Sequence, residues 1–391
     1  MTRPGVQESA VRRGWGDLDV LIAHTKMAKV LHDELDGTPG VRLHVGEPDA
    51  HRPESGEAGS YGDGTCGEGT GGDRTRGDGS HGHGAGSEGA PGPADPYRTA
   101  DVVVGYQFPP GSLAGYPRLR WLHLTGTGTD HLAAAGLPPG VLVTTSARVP
   151  VDAVAEYAVA GLLHLLKALP DLGRGSGGAW YRSDALMLGG STVAVVGAGR
   201  IGRAVLRRLA ALGARTVAVT RPGRTCPVPG ADRTVPSDRL AEVAATADHL
   251  VLCLPGGPGT RLLAGERVLA ALPPHGTVVN VGRAETLDTR ALYAALRAGR
   301  LRGAFLDVHD TEPLPADDPA WHVPGLVVSP HRAFAFPDEP AQVAQAFLAN
   351  LHDLRALRSP RDITLWHPEP RATAPTDDTD STSRTGERTA Q

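Results

Sequence analysis

The chain has 391 residues, 40% of them hydrophobic, with 39 basic residues against 43 acidic ones and a formal net charge of −4. That length can bury the cores of two domains, and the near-balanced charge gives no global electrostatic case for a nucleic-acid or anionic-membrane partner. The three scattered cysteines, Cys66, Cys226 and Cys253, carry neither a disulfide nor a zinc pattern, and no apolar leader core follows Arg3, Arg12 and Arg13, so a soluble cytoplasmic protein is expected.

Residues 1–149 are expected to form a substrate-binding domain. It opens as strand, helix, strand: DVLIAHT (19–25), an amphipathic stretch over 26–35, and VRLHV (41–45). From 47 to 95 the pattern gives way to Gly, Ser, Asp, His and Glu, too poor in apolar residues to offset the entropy of ordering. A disordered insertion is expected there, with His81 and His83 as parts of a solvated linker rather than metal ligands. DVVVGYQ (101–107), LRWLHLTGTGTDHL (119–132) and VLVTTS (141–146) extend the first parallel sheet. In VPVDAVAEYAVAGLLHLLKALPDL (149–172), Val154, Ala158, Leu162, Leu165, Leu166 and Leu169 fall at helical spacing, and Pro170 and Gly173 are expected to stop the helix. The helix is apolar enough to lie between domains, and the boundary is placed at 150.

Residues 150–333 alternate strands and helices: TVAVVG, a helix over 201–212, TVAVT, HLVLCLP, TVVNVG, a helix over 288–298, GAFLDV and LVVSP. Unbroken Val/Leu strands in regular alternation predict a doubly wound parallel sheet. A last helix over 340–357, within 334–367, is expected to return to the first domain, and 368–391 to be a disordered tail. The fold class is α/β, with two Rossmann-like doubly wound parallel-sheet domains, the first flavodoxin-like, and an active-site cleft between them.

Gly197, Gly199 and Gly202 follow an apolar strand and, with Arg200 and Ile201, open a helix, the context in which such a turn cradles a dinucleotide. Small residues let the backbone approach the pyrophosphate, and free N–H groups at the helix start attract it. Where an acidic residue would take the ribose diol of NAD, the next strand ends in Thr220, Arg221, Pro222, Gly223 and Arg224. Arg221 and Arg224 favour NADP, whose 2′-phosphate they can pair with. The competing reading is an NAD site that tolerates Thr220 beside a solvated basic turn.

Three polar residues stand where strand-like runs give out: Arg283 in VVNVGRAE, Glu312 in FLDVHDTEPLP and His331 in LVVSPHR. Ligands of doubly wound sheets gather at those carboxyl ends. Arginine's fork matches a carboxylate, histidine titrates near neutrality, and a neighbouring carboxylate favours the imidazolium. The set suits hydride transfer between a nicotinamide and a small 2-keto or 2-hydroxy acid.

The stretch VVNVGRAETLDTRALYAALRAGRLRGAFLDVHDTEPLP, with VGAGRIG, LCLPGGPGTR and SPH in order, resembles the D-isomer-specific 2-hydroxyacid dehydrogenases. The resemblance spans nearly the whole chain outside the insertion and tail. It implies that Arg283 binds the substrate carboxylate, that His331 is the acid/base and that Glu312 holds it. It implies cofactor contacts for Leu254, Pro255, Val281, Gly282 and Asp307, and substrate contacts for the backbone of Gly126, Thr127 and Gly128. Asp130 and Glu156 match the family too and are read as structural. A homodimer is implied. Ala284 replaces the family's glycine, Arg332, Phe334 and Phe336 leave substrate size open, and Thr127 stands where phosphite-oxidising relatives carry lysine. WLHLTGTGTDHL and VAEYAV are most similar to the glyoxylate/hydroxypyruvate reductase branch. The alternatives are a biosynthetic dehydrogenase for a phosphonate or other unusual 2-hydroxy acid and, from another class, a dinucleotide-sensing corepressor.

Overall fold

Strands that are apolar on both faces must be covered on both faces, and the central strands of this chain are buried along their whole length. The computed structural model describes residues 15–24, 28–46, 96–169, 185–224, 226–358 and 363–365. The expected insertion at 47–95 with His81 and His83, the connection after 169 and the tail from 368 lie outside the described residues.

The first sheet contains β1 (Leu18–Ala23), β2 (Val41–Val45), β3 (Val102–Gly105), β4 (Trp121–Leu124) and β5 (Leu142–Thr145) in the parallel order β2-β1-β3-β4-β5. The second contains β6 (Thr192–Val196), β7 (Arg215–Thr220), β8 (Arg233–Pro236), β9 (His249–Leu252), β10 (Thr277–Asn280), β11 (Gly303–Leu306) and β12 (Leu326–Val328). Its order is β8-β7-β6-β9-β10-β11-β12, all parallel, so the strand order reverses between β6 and β9, the crevice where doubly wound sheets bind ligands. A last strand, β13 (Ile363–Leu365), pairs antiparallel with β5 and closes that edge of the first sheet.

Eight helices cover the described faces: α1 (Ala28–Leu35), α2 (Pro96–Thr99), α3 (Val151–Leu166), α4 (Arg200–Ala211), α5 (Leu240–Ala244), α6 (Glu266–Ala271), α7 (Thr289–Arg297) and α8 (Glu339–Arg355). Helix α3 buries Val154, Ala158, Leu162, Leu165 and Leu166 against β10, β11 and α4. Arg208 of α4 reaches Asp152 at 2.9 Å and Glu156 at 3.2 Å, tying the two helices together. The helix stops at Leu166, short of the expected 172. Lys167 caps it and donates from Nζ to the Leu186 carbonyl at 2.7 Å, and Ala168 turns to φ 51, ending the helical path before Pro170.

Helix α8 lies on the first sheet, where it buries Val343, Ala344, Phe347, Leu351 and Leu354. The Phe347 ring stacks on Trp121 with centroids 4.7 Å apart, and the Arg355 guanidinium donates to carbonyls of Trp15, Gly16, Pro39 and Gly40. Truncating so enclosed an aromatic typically costs about 3–5 kcal/mol. Among the described residues no helix is long and apolar enough to cross a membrane.

Candidate active site

The turn after β6 is built for a close neighbour. Gly197 sits at φ 99, where a side chain would be strained and a Cβ would lie 2.7 Å from the Cys253 carbonyl oxygen. A Cβ on Gly202 would overlap the Gly197 carbonyl, so only glycine lets α4 start this close to β6. Gly199 has no heavy atom within 4 Å of its Cβ position, and it caps α4 without a side-chain hydrogen bond. The first turn of α4 therefore carries no side-chain cap, and a helix start of that kind attracts a phosphate. Arg200 is exposed and Ile201 packs on the α3–α4 core.

At the end of β7, Thr220 is buried, and its Oγ1 has no hydrogen-bond partner among the described residues. Arg221 is exposed and Arg224 half-buried in the turn beyond it. A hydroxyl without a partner beside two arginines fits a polar, anionic ligand group better than a closed protein surface. The residues present thus fit a nicotinamide dinucleotide lying across the β6 crevice.

The ends of β9 and β10 meet next to this turn. A Cβ on Gly282 would come within 2.5 Å of the Leu254 carbonyl oxygen, which places Leu254, Pro255, Val281 and Gly282 along one wall. Asn280 then fixes the next residue: its Oδ1 accepts from Gly282 N at 3.0 Å, and its Nδ2 donates to the Arg283 carbonyl at 3.1 Å. Thr286 Oγ1 donates to that carbonyl at 2.7 Å, so the Arg283 backbone is held on two sides.

Arg283 and His331 face a cleft of about 310 Å³ whose walls come from both sheets. Arg283 Nε donates to Asp130 Oδ2 at 3.2 Å and Nη1 to the Gly282 carbonyl at 2.9 Å, with Nη2 3.5 Å from the Tyr106 hydroxyl. Burial opposes the guanidinium charge, but Tyr106 and Asp130 outweigh it and hold Arg283 above its ordinary pKa. A Cβ on Gly128 would overlap Arg283 Nη2, and one on Gly126 would meet the Tyr106 ring at 2.5 Å. With Thr127 between them, these glycines bring first-sheet backbone up to the arginine.

His331 Nδ1 lies 2.7 Å from Glu312 Oε2, and Glu312 Oε1 accepts from the His309 backbone N–H at 2.9 Å. A proton on Nδ1 then donates to the carboxylate, and Nε2 is left for the cleft. Burial pushes the Glu312 carboxyl up, yet the hydrogen bonds from His331 and His309 dominate and keep it below its ordinary pKa. His331 has φ 51, a left-handed conformation that histidine adopts more readily than most residues and that is worth notice at a site. Asp307 supports it from below: buried, it accepts from Ser329 Oγ, from Arg332 N at 2.8 Å and from Ala333 N at 3.0 Å. Its described side-chain partners thus all lie in the segment carrying His331. By contrast His123 and His249 are buried beside hydroxyls, and burial pushes them down to about 3 and about 4, so they stay neutral inside the sheets.

Sequence reasoning missed Tyr106, His131 and His309 as cleft residues and read Asp130 as structural. Their signal was available: Tyr106 directly follows β3, and Asp130 and His131 end the glycine loop after β4, positions where parallel strands deliver side chains to a ligand. Glu156, the other family-like acid, lies in the α3–α4 tie and not in the cleft.

The pattern matching the D-isomer specific 2-hydroxyacid dehydrogenase NAD-binding domain runs over residues 159–333. A glyoxylate/hydroxypyruvate reductase of Arabidopsis thaliana is 33% identical over 251 residues, covering 61% of this chain and 74% of that protein. A D-3-phosphoglycerate dehydrogenase of Mycobacterium tuberculosis is 34% identical over 223 residues, covering 56% of this chain but only 42% of its own length. An NADPH-dependent glyoxylate/hydroxypyruvate reductase of Sinorhizobium meliloti, solved with NADP and malonate, superposes with TM-score 0.63 at 26% identity over 86% of this chain and 93% of that one. An oxidoreductase that uses a nicotinamide dinucleotide follows from these likenesses and from the crevice geometry. The chain belongs to the D-isomer specific 2-hydroxyacid dehydrogenase family.

Proposed function

We propose that the chain reduces a small 2-keto acid to its D-2-hydroxy acid, with NADPH preferred to NADH and glyoxylate or hydroxypyruvate as the first substrates to test. The observation that carries this reading is the convergence of Arg283 and the His331–Glu312 pair on one cleft beside the glycine turn. Bound nicotinamide supplies the hydride. Gly197, Gly199, Arg200, Ile201 and Gly202 hold the pyrophosphate, Thr220, Arg221 and Arg224 take the 2′-phosphate end, and Leu254, Pro255, Val281 and Gly282 flank the rest.

Arg283 grips the substrate carboxylate with the N–H groups that Asp130 and Gly282 leave free, and the backbone at Gly126, Thr127 and Gly128 closes on the same group. His331 holds a proton at Nε2 for the carbonyl oxygen, with the Glu312 carboxylate accepting from Nδ1 and fixing the ring's orientation. Asp307 keeps the His331 loop in place; a contact from it to the nicotinamide carboxamide belongs to this proposal as well. A cytoplasmic homodimer acting without nucleic-acid or membrane partners completes the reading.

Variants separate the roles. His331→Ala should abolish turnover and leave NADPH binding intact, and Arg283→Ala should raise the substrate KM far more than the cofactor Kd. Equal loss of cofactor binding in both would overturn the assignment.

A further inference from the structure

Arg283 and His331 account for the carboxylate and the carbonyl oxygen of a 2-keto acid, and the remaining substituent on C2 is read by whatever else lines the cleft. His309, two residues beyond Asp307 in the loop after β11, is one of the lining residues. Its ring is anchored: Nε2 lies 2.9 Å from the Ser329 carbonyl oxygen, and its backbone N–H donates to Glu312 Oε1 at 2.9 Å. A carbonyl oxygen only accepts, so Nε2 carries a proton and Nδ1 is left over. Among the described residues Nδ1 has no hydrogen-bond partner, and it is not sealed inside the protein. Other polar groups of the cleft are less suited to the task. Glu312 and Asp130 are engaged with His331 and Arg283. His131, the second imidazole, buries its Nε2 away from any ligand. Gln107 and Asp310 are exposed, so fixing either on a substrate costs side-chain entropy that the anchored imidazole has already lost.

Resting on the function proposed above, we propose that His309 is a specificity-determining residue whose Nδ1 hydrogen-bonds a hydroxyl on C3, so that the cleft selects 3-hydroxy-2-keto acids over their 3-deoxy counterparts. A hydroxyl suits the position in either state of the ring: it donates to the Nδ1 lone pair of the neutral imidazole and accepts from Nδ1–H of the imidazolium. A methyl group does neither, and it leaves the nitrogen without the water it gave up.

The test uses the full chain with saturating NADPH and three 2-keto acids: hydroxypyruvate, pyruvate, and glyoxylate, which has no C3 and reports general damage to Arg283 or His331. The quantity read is the ratio of kcat/KM for hydroxypyruvate to that for pyruvate, taken within each protein. His309→Gln keeps an N–H for the Ser329 carbonyl and removes the nitrogen that faces the cleft; it should lower the ratio about tenfold, the weight of one hydrogen bond. His309→Asn makes the opposite exchange, giving up Ser329 and keeping a polar atom near the Nδ1 position, and should retain most of the ratio. A histidine with a merely structural role would be rescued by Gln and not by Asn. His309→Leu, which loses both contacts, serves if His309→Gln does not fold. A ratio unmoved in His309→Gln, a ratio lost equally in His309→Asn, or wild-type reduction of other 2-keto acids but not of hydroxypyruvate overturns the proposal and leaves the reductase reading standing. No reduction of any 2-keto acid despite NADPH binding removes the reductase reading itself, and this inference with it.

Discussion

Gly128→Ala probes the clamp through the backbone that faces it. The new Cβ would overlap Arg283 Nη2 and come within 2.8 Å of Asp130 Oδ1 and 3.1 Å of the Tyr106 hydroxyl. Gly128 does not have a positive φ, so its backbone accepts alanine and the fold should lose less than about 1 kcal/mol. The flexible end of Arg283 must yield. It gives up the long contacts from Nη2 to Asp130 and Tyr106, at 3.4 and 3.5 Å, and strains the 3.2 Å bond from Nε. Losing a charge-assisted arrangement of that kind costs about 2 kcal/mol, which corresponds to roughly a 30-fold rise in substrate KM. The assay is steady-state reduction under saturating NADPH, with NADPH fluorescence titration and thermal unfolding alongside. A raised KM with unchanged cofactor Kd and Tm is expected. An unchanged KM in a folded variant would refute the placement of Arg283 against the glycine loop.

Three further outcomes are expected. Glu312→Gln should lower kcat, and its stability deficit should follow the sign of the Glu312 shift: that carboxyl is depressed from 4.5 in the fold, so its contribution is full above 4.5 and fades as pH falls through the lower folded value. Urea unfolding at several pH values should thus show a deficit that is constant near neutrality and closes only in acid, kept below about 1 kcal/mol because both side chains are a third exposed. Arg221→Ala should raise the KM for NADPH about tenfold and spare NADH; an unchanged ratio of the two cofactors would return the basic turn to a solvated loop. Gly202→Ala, whose Cβ would overlap the Gly197 carbonyl, should displace α4 from β6, lower Tm and remove dinucleotide binding, whereas retained NADPH binding would contradict the close approach.

The second sheet was legible because its strands are unbroken Val and Leu runs, each read to within a residue or two of the observed start; TVAVVG became Thr192–Val196 and TVVNVG became Thr277–Asn280. Strand ends were read too far, as in DVVVGYQ, because pairing stops at Gly105 and Tyr106 turns into the cleft. β8 escaped notice because RTVP is short, ends in proline and buries only Val235. β13 has three residues and is recruited by the edge of β5, a tertiary cause with no local pattern. At the site, residue type and strand-end position pointed to Arg283, Glu312 and His331. Nothing local predicts that Asp130 meets Arg283 across 153 positions, or that Asp307 faces the His331 loop, since both depend on how the loops close over the sheets.

The central claim is reduction of a 2-keto acid at this cleft, and the direct measurement is NADPH and NADH oxidation by the purified protein across glyoxylate, hydroxypyruvate and larger aliphatic and aromatic 2-keto acids. Turnover of a small monoanionic member, faster with NADPH and yielding the D-hydroxy acid, is the predicted result. Tight dinucleotide binding with no turnover of any member would contradict it and favour a dinucleotide-sensing protein on the same fold.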